Sequence, residues 1–164
     1  MASFRSQYLF AYGTLRTEES ECDQHGPRRL STIPAKAPGR LYSLKEGYPI
    51  LLLEPDICIL TASHEWEADW KTARSRLETD TYGFKNPPAV EGEIIEIPLG
   101  PGVFDKSDAW EGFSVGSDSV YQRIAIPVLR ADGTILPAWV YGCTKIPLGA
   151  TPFEGNRWKR PEGL

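Results

Sequence analysis

The 164-residue sequence predicts an α+β protein that is mostly β: a small, partly open mixed β-barrel with short helices. Two observations predict it. Tyr8–Tyr12, Val90–Ile97, Tyr121–Arg130 and Ile135–Cys143 carry apolar residues on both pleat faces, as strands do when both sides are covered in a small barrel. Helical spacing, in contrast, is confined to two stretches, near 64–78 and 105–111. The length suits one domain with a real core. Residues 1–164 read as that domain. Residues 144–164 form its wrapped C-terminal tail, since they hold three prolines and no period.

In the first strand Tyr8, Phe10 and Tyr12 share one face, and Leu9 and Ala11 the other. The strand runs into Gly13-Thr14-Leu15. The glycine can take positive φ and, lacking a Cβ, lets a ligand approach the backbone. Three successive NH groups there can form an anion-binding concavity. Residues 15–30 read either as a short helix starting beside this turn or as an acidic loop around Glu18, Glu19, Glu21 and Asp23. Residues 31–39, with Pro34, Pro38 and Gly39, read as loop. Strands are expected at 40–44, 50–53 and 57–60, separated by Gly47-Tyr48-Pro49 and Glu54-Pro55-Asp56.

Trp66, Trp70, Ala73 and Leu77 share one helical face, with Ser63 as N-cap. Both tryptophans are expected to pack on the barrel. Residues 79–89, with Gly83, Pro87 and Pro88, read as loop. Along Val90–Ile97 the alternation slips, which predicts a bulge or bend at Gly92. Asp105–Glu111 reads as a short helix with Asp105 as N-cap and Gly112 at its end. Ala131-Asp132-Gly133-Thr134 joins the last two strands as a hairpin, and Pro127 puts the first of them at an edge or bulge.

Composition removes several function classes. The net charge of −4 gives no overall attraction for nucleic acid. No apolar run approaches the roughly 20 residues of a membrane span, and the first residues lack the apolar centre of a signal peptide. A cytoplasmic location follows as the expectation. Cys22, Cys58 and Cys143 are odd in number and form no C-x-x-C pair, against a disulfide framework. Cys22 and His25 are three apart, but the ligands to complete a zinc site are missing, so no metal is expected.

Glu111 is the acidic residue to single out. It ends a short helix beside Trp110 and precedes a glycine loop. Burial against aromatic groups would raise its pKa and make it a general base. A solvated glutamate at a helix end is the alternative.

Several pieces occur in a telling order: Tyr12-Gly13-Thr14-Leu15, Gly39-Arg40-Leu41-Tyr42, Tyr48-Pro49, Val90-Glu91-Gly92-Glu93, Asp108-Ala109-Trp110-Glu111-Gly112, Tyr121-Gln122-Arg123 and Ala138-Trp139-Val140-Tyr141. Across residues 8–143 this series resembles the gamma-glutamylcyclotransferase-like family, with its AIG2-like and gamma-glutamylamine cyclotransferase branches. The resemblance implies a compact mixed β-barrel with a central cavity. It implies a cyclotransferase, of lyase or acyltransferase type, that turns a γ-glutamyl amide into 5-oxoproline and a free amine without a cofactor. Glu111 aligns with the family's catalytic acid/base. Tyr12, Gly13, Thr14, Leu15 and Tyr121 take the substrate-binding positions, and the turn holds either the α-carboxylate or the oxyanion. Asp108 aligns with the family's aspartate, while Ser107 stands where the family has leucine.

The implied partner is a small γ-glutamyl substrate, with no nucleic acid and no membrane. Its amine half, the oligomeric state and the role of residues 61–89 are not readable from the sequence. Two other classes stay open: a catalytically silent module binding a small anion, and an interaction protein docking a partner on the Trp66/Trp70 face. The first predicts a Glu111 that titrates ordinarily; the second predicts exposed tryptophans.

Overall fold

The computed structural model describes residues 5–79, 84 and 86–162. Five strands close into a ring: β1 (Ser6–Ala11), β2 (Ser31–Ala37), β6 (Val90–Pro98), β7 (Gln122–Arg130) and β8 (Ile135–Cys143). The ring order is β7-β2-β6-β1-β8 and back to β7. Only the β1–β8 contact is parallel; the other ring contacts are antiparallel. Further strands extend the sheet beyond the ring. β4 (Pro49–Leu52) runs parallel to β8, with β3 (Arg40–Ser43) and then β9 (Thr151–Pro152) beside it. β5 (Leu60–Thr61) adds to β7.

The mixed barrel is therefore closed rather than partly open, and the closing strand is β2, within residues that read as loop. Its apolar signal is weak: Ser31 to Pro34 are exposed, and only Ala35 and Ala37 are buried. Backbone pairing defines it instead, along β6 from Ser31↔Glu96 to Ala37↔Val90 and to β7 through Ala35↔Arg130 and Lys36↔Leu129.

The slip along β6 also has another cause than a bulge. Its register to β1 and β2 runs on without a skip. Val90 and Ile94 belong to one apolar cluster, and Ile95 and Ile97 to a second on the opposite face. Both faces are covered, so the strand need not alternate. Gly92 is required by proximity: a Cβ there would stand 2.3 Å from the Ala11 carbonyl oxygen.

Pro127 lies in no bulge but at a local edge, although β7 as a whole is flanked on both sides. It faces Pro137 of β8, and on the other side it falls between the residues that pair with β5 and those that pair with β2. A missing NH is tolerated in that gap. The segment expected as a strand at 57–60 is a 3₁₀ turn, Pro55–Ile57, followed by β5. Proline at its start cannot donate to a ladder.

Among the described residues, three α-helices flank the barrel: α1 (Glu21–His25), α2 (Trp66–Thr79) and α3 (Asp105–Glu111). α1 does not adjoin the Gly13 turn, because the chain first makes successive turns, Arg16 NH to Gly13 O and Glu19 NH to Arg16 O. α2 packs Trp70 and Ala73 against Trp139. Trp66, in contrast, is 37% exposed, so only one of the two tryptophans is buried. Ser63 lies just before the helix: its hydroxyl accepts the Glu65 NH and donates to Asp69. At α3 the N-cap is Phe104, with Asp105 inside the helix, so no side chain caps that end. Residues 80–83, including the expected turn at Gly83, lie outside the described residues. No described helix is long and apolar enough to cross a membrane.

Candidate functional site

β1 ends at Ala11, and the chain passes through Tyr12 into the Gly13-Thr14-Leu15 turn. α3 ends at Glu111, where Gly112 adopts a left-handed φ of 69° and donates to Ala109 O and Asp108 O. A glycine suits that position because a Cβ would strain it. These two chain ends, far apart in sequence, line one cavity of about 320 Å³. Tyr12, Gly13, Thr14, Leu15, Glu111 and Tyr121 all face it. The β3–β4 turn adds Leu44, Tyr48 and Pro49, and Trp110 and Tyr141 complete the polar side.

Among the described residues of the lining, Glu111 is the one acid or base besides the tyrosines. Burial, with the Asp108 carboxylate adding repulsion, pushes its carboxyl up to about 8. The surrounding hydroxyls are fixed. Tyr12 donates to the Tyr141 carbonyl and accepts the Leu51 NH at 3.1 Å. Tyr121 donates to the Pro49 carbonyl. Burial raises both phenols above the ordinary range, so both stay neutral.

Behind Glu111 a buried polar network holds α3 to the barrel. Arg123 reaches Asp108 with two hydrogen bonds, Nε to Oδ1 at 2.9 Å and Nη2 to Oδ2 at 3.3 Å. Its guanidinium lies over the Phe104 ring at 4.1 Å. Tyr141 OH donates to Asp108 Oδ1 at 2.7 Å and stands 2.6 Å from Ser107 Oγ. Asp108 can only accept, so the Ser107 proton points to Tyr141. Ser107 is fully buried, and its hydroxyl supplies the donor that Tyr141 needs there. A leucine could not do this.

Gly13 does not have positive φ. Its lack of a Cβ serves packing: a Cβ would stand 2.9 Å from Pro49 Cγ. Among the described residues, none accepts the NH of Gly13, Thr14 or Leu15. The turn is held from behind by Arg16, which donates to Gly13 O and to Trp158 O. Thr14 Oγ1 accepts the Trp110 indole NH at 3.1 Å, and His25 stacks on Trp110 at 4.0 Å. No group of three His, Cys, Asp or Glu converges among the described residues.

Trp110, Tyr141, Pro49 and Arg123 carry no site role that their sequence neighbourhood alone reveals, although each lies in one of the ordered motif blocks. Only the fold brings these blocks together around one cavity.

The gamma-glutamyl cyclotransferase, AIG2-like family model matches residues 9–160. The chain belongs to that family. A crystal structure of an AIG2-like protein from Mus musculus superimposes with a TM-score of 0.56 at 17% identity, covering 98% of this chain and 99% of that one. At that identity the likeness speaks for the fold. No curated protein matches the chain. For an AIG2-like chain, the cavity between the β1 turn and α3 is the candidate active site.

Proposed function

We propose that the chain cleaves a γ-glutamyl amide by intramolecular aminolysis, releasing 5-oxoproline and a free amine. One observation carries the reading. A carboxyl whose pKa is raised to about 8 shares a small cavity with a turn of NH groups that no described residue takes up. The turn offers donors and no base; Glu111 offers a base and no donors.

In this mechanism Glu111 takes a proton from the substrate's α-ammonium. The freed amine attacks the γ-carbonyl carbon, forming the new C–N bond and a tetrahedral oxyanion. Collapse breaks the old C–N bond, Glu111 returns the first proton to the departing nitrogen, and the ring nitrogen loses its second proton as the lactam forms, which leaves the released amine as its ammonium. Ring closure needs no external nucleophile, so positioning supplies much of the acceleration. The NH groups of Gly13, Thr14 and Leu15 bind the substrate's α-carboxylate or the oxyanion. Tyr12 and Tyr121, neutral and fixed, shape the walls. No metal or redox group is needed for the electron balance.

Glu111→Gln keeps the size and removes the proton acceptor. We expect 5-oxoproline release to fall by about two to four orders of magnitude, the usual contribution of a general base. Ligand binding measured in parallel should persist, because the turn is untouched. Wild-type turnover by the mutant would remove Glu111 from the mechanism. The same cavity on a silent binding module would release no 5-oxoproline from any γ-glutamyl amide.

A further inference from the structure

We infer that His25 is a positioning residue for the proposed reaction: stacked on Trp110, it keeps the indole NH on Thr14 and so holds the Gly13–Leu15 turn and the Glu111 end of α3 at one spacing. This rests on the cyclotransferase reading of the cavity. His25 does not itself line that cavity. Among the described residues, none hydrogen-bonds its imidazole or forms an ion pair with it, and no group of three metal ligands gathers around it. Its contact with the site is the ring of Trp110, 4.0 Å away and parallel to within 8°. Rings stacked in this way gain more than the area they bury.

Trp110 depends on that support. Its indole lines the cavity and is partly exposed. The side chain turns about two bonds, so a free indole pays rotamer entropy each time it is ordered. The stack orders it before a substrate arrives. The indole NH then reaches Thr14 Oγ1 at 3.1 Å. That bond runs from α3 to the β1 turn, the two segments whose meeting makes the site. Glu111 follows Trp110 directly in the chain.

His25 has a firm base from which to do this. α1 has five residues, too few for a helix to persist alone. Outside contacts fix it instead. Arg160 Nη2 donates to both carboxylate oxygens of Glu21, at 2.8 and 2.7 Å. Cys22 is buried, and its thiol meets Thr17 O at 3.6 Å. α1 is thereby tied to the C-terminal segment and to the chain just past the Gly13 turn. The Asp108–Arg123 pair fastens α3 to the barrel; the His25–Trp110–Thr14 chain fastens it to the turn.

His25→Ala removes the stack, and His25→Phe restores a flat ring without the imidazole nitrogens. On a γ-glutamyl amide that the wild type converts, we expect His25→Ala to lower kcat about tenfold and leave KM within about threefold, since a misplaced base costs the transition state more than the bound substrate. His25→Phe should bring kcat back to within about threefold of wild type. In a Thr14→Val background, which lacks the acceptor, His25→Ala should remove little more, because both act through one bond. Fluorotryptophan gives a readout independent of turnover. The fluorine resonance of Trp110, assigned by its loss in Trp110→Phe, should move or broaden in His25→Ala and return in His25→Phe. Wild-type kcat in His25→Ala, an equal loss in His25→Phe, or losses that multiply independently with Thr14→Val would overturn the inference and leave the cyclotransferase reading intact. If the wild type converts no γ-glutamyl amide, that reading fails, and the fluorine resonance decides the inference separately. A resonance that follows the ring at position 25 supports it; one indifferent to that ring overturns it.

Discussion

At the scale of single residues, Glu111 carries both an activity and a stability consequence. Its folded-state pKa of about 8 lies above the ordinary value of 4.5. In the proposed mechanism the unliganded chain must lose that proton before Glu111 can act as the base. kcat/KM should therefore rise with pH through about 8 and fall again as the substrate ammonium titrates. In the proposed complex that ammonium would sit beside the carboxylate and favour its charged form. The limb in kcat should accordingly appear at lower pH than the limb in kcat/KM, and Glu111→Gln should abolish it.

Stability runs the other way. Between the ordinary carboxylate pKa and about 8, the folded state keeps a proton that the unfolded state has lost. Stability from this group is therefore lost as pH rises across that window. Denaturant melts should show Glu111→Gln equal to wild type near pH 4 and more stable near pH 9. The gain should be about 1–3 kcal/mol, a discounted share of the roughly 1.4 kcal/mol that accompanies each pH unit of displacement, since the side chain is partly exposed.

At the scale of elements, α2 separates two tryptophans that the helical period places on one stripe. Trp70 is buried in edge contact with Tyr8 at 6.0 Å and close to Trp139, while Trp66, one turn earlier, is partly exposed. Trp70→Ala should cost about 3–5 kcal/mol in chemical denaturation, the usual range for emptying a buried tryptophan site. Trp66→Ala should stay within about 0.5 kcal/mol. Equal costs would mean that α2 sits on the barrel differently. The exposure of Trp66 alone is too little for a docking patch.

At the scale of the whole molecule, the C-terminal segment ties the sheet to the β1 turn. Trp158 is fully buried within the cluster that holds Phe10, Val90 and Ile126. Its carbonyl accepts from Arg16, whose Nε holds Gly13 O. Around this anchor, Arg160 pairs with Glu19 and Glu21, and Arg157 with Glu18. Trp158→Ala should destabilise by about 3–5 kcal/mol. Arg157→Ala, at an exposed pair, should cost less than about 1 kcal/mol. Thermal or denaturant melts of the two variants would reverse this order if surface charge, rather than the buried ring, held the segment down.

The sequence by itself determined what local chemistry can determine. Two-sided apolar runs marked β1, β6, β7 and β8, because strand burial is written every second residue. Gly112 marked the end of α3, because its left-handed backbone disfavours any Cβ. The ordered motif blocks marked the family, and among them stood Glu111 and the Tyr12–Leu15 turn. Tertiary structure alone decided the rest. β2 was invisible because its pairing is made by backbone, with only two alanines buried, so the closure of the barrel could not be read. Gly92 looked like a bulge because alternation assumes one dry face, whereas β6 is packed on both. Gly13 offered positive φ and room for a ligand; its φ is not positive, and Pro49, brought in by the β3–β4 turn, limits its size. The raised pKa of Glu111 was a possibility in the sequence and a consequence only of the fold. Desolvation depends on what surrounds a carboxyl in space, and its surroundings come from β1, the β3–β4 turn, α3 and the start of β7 at once.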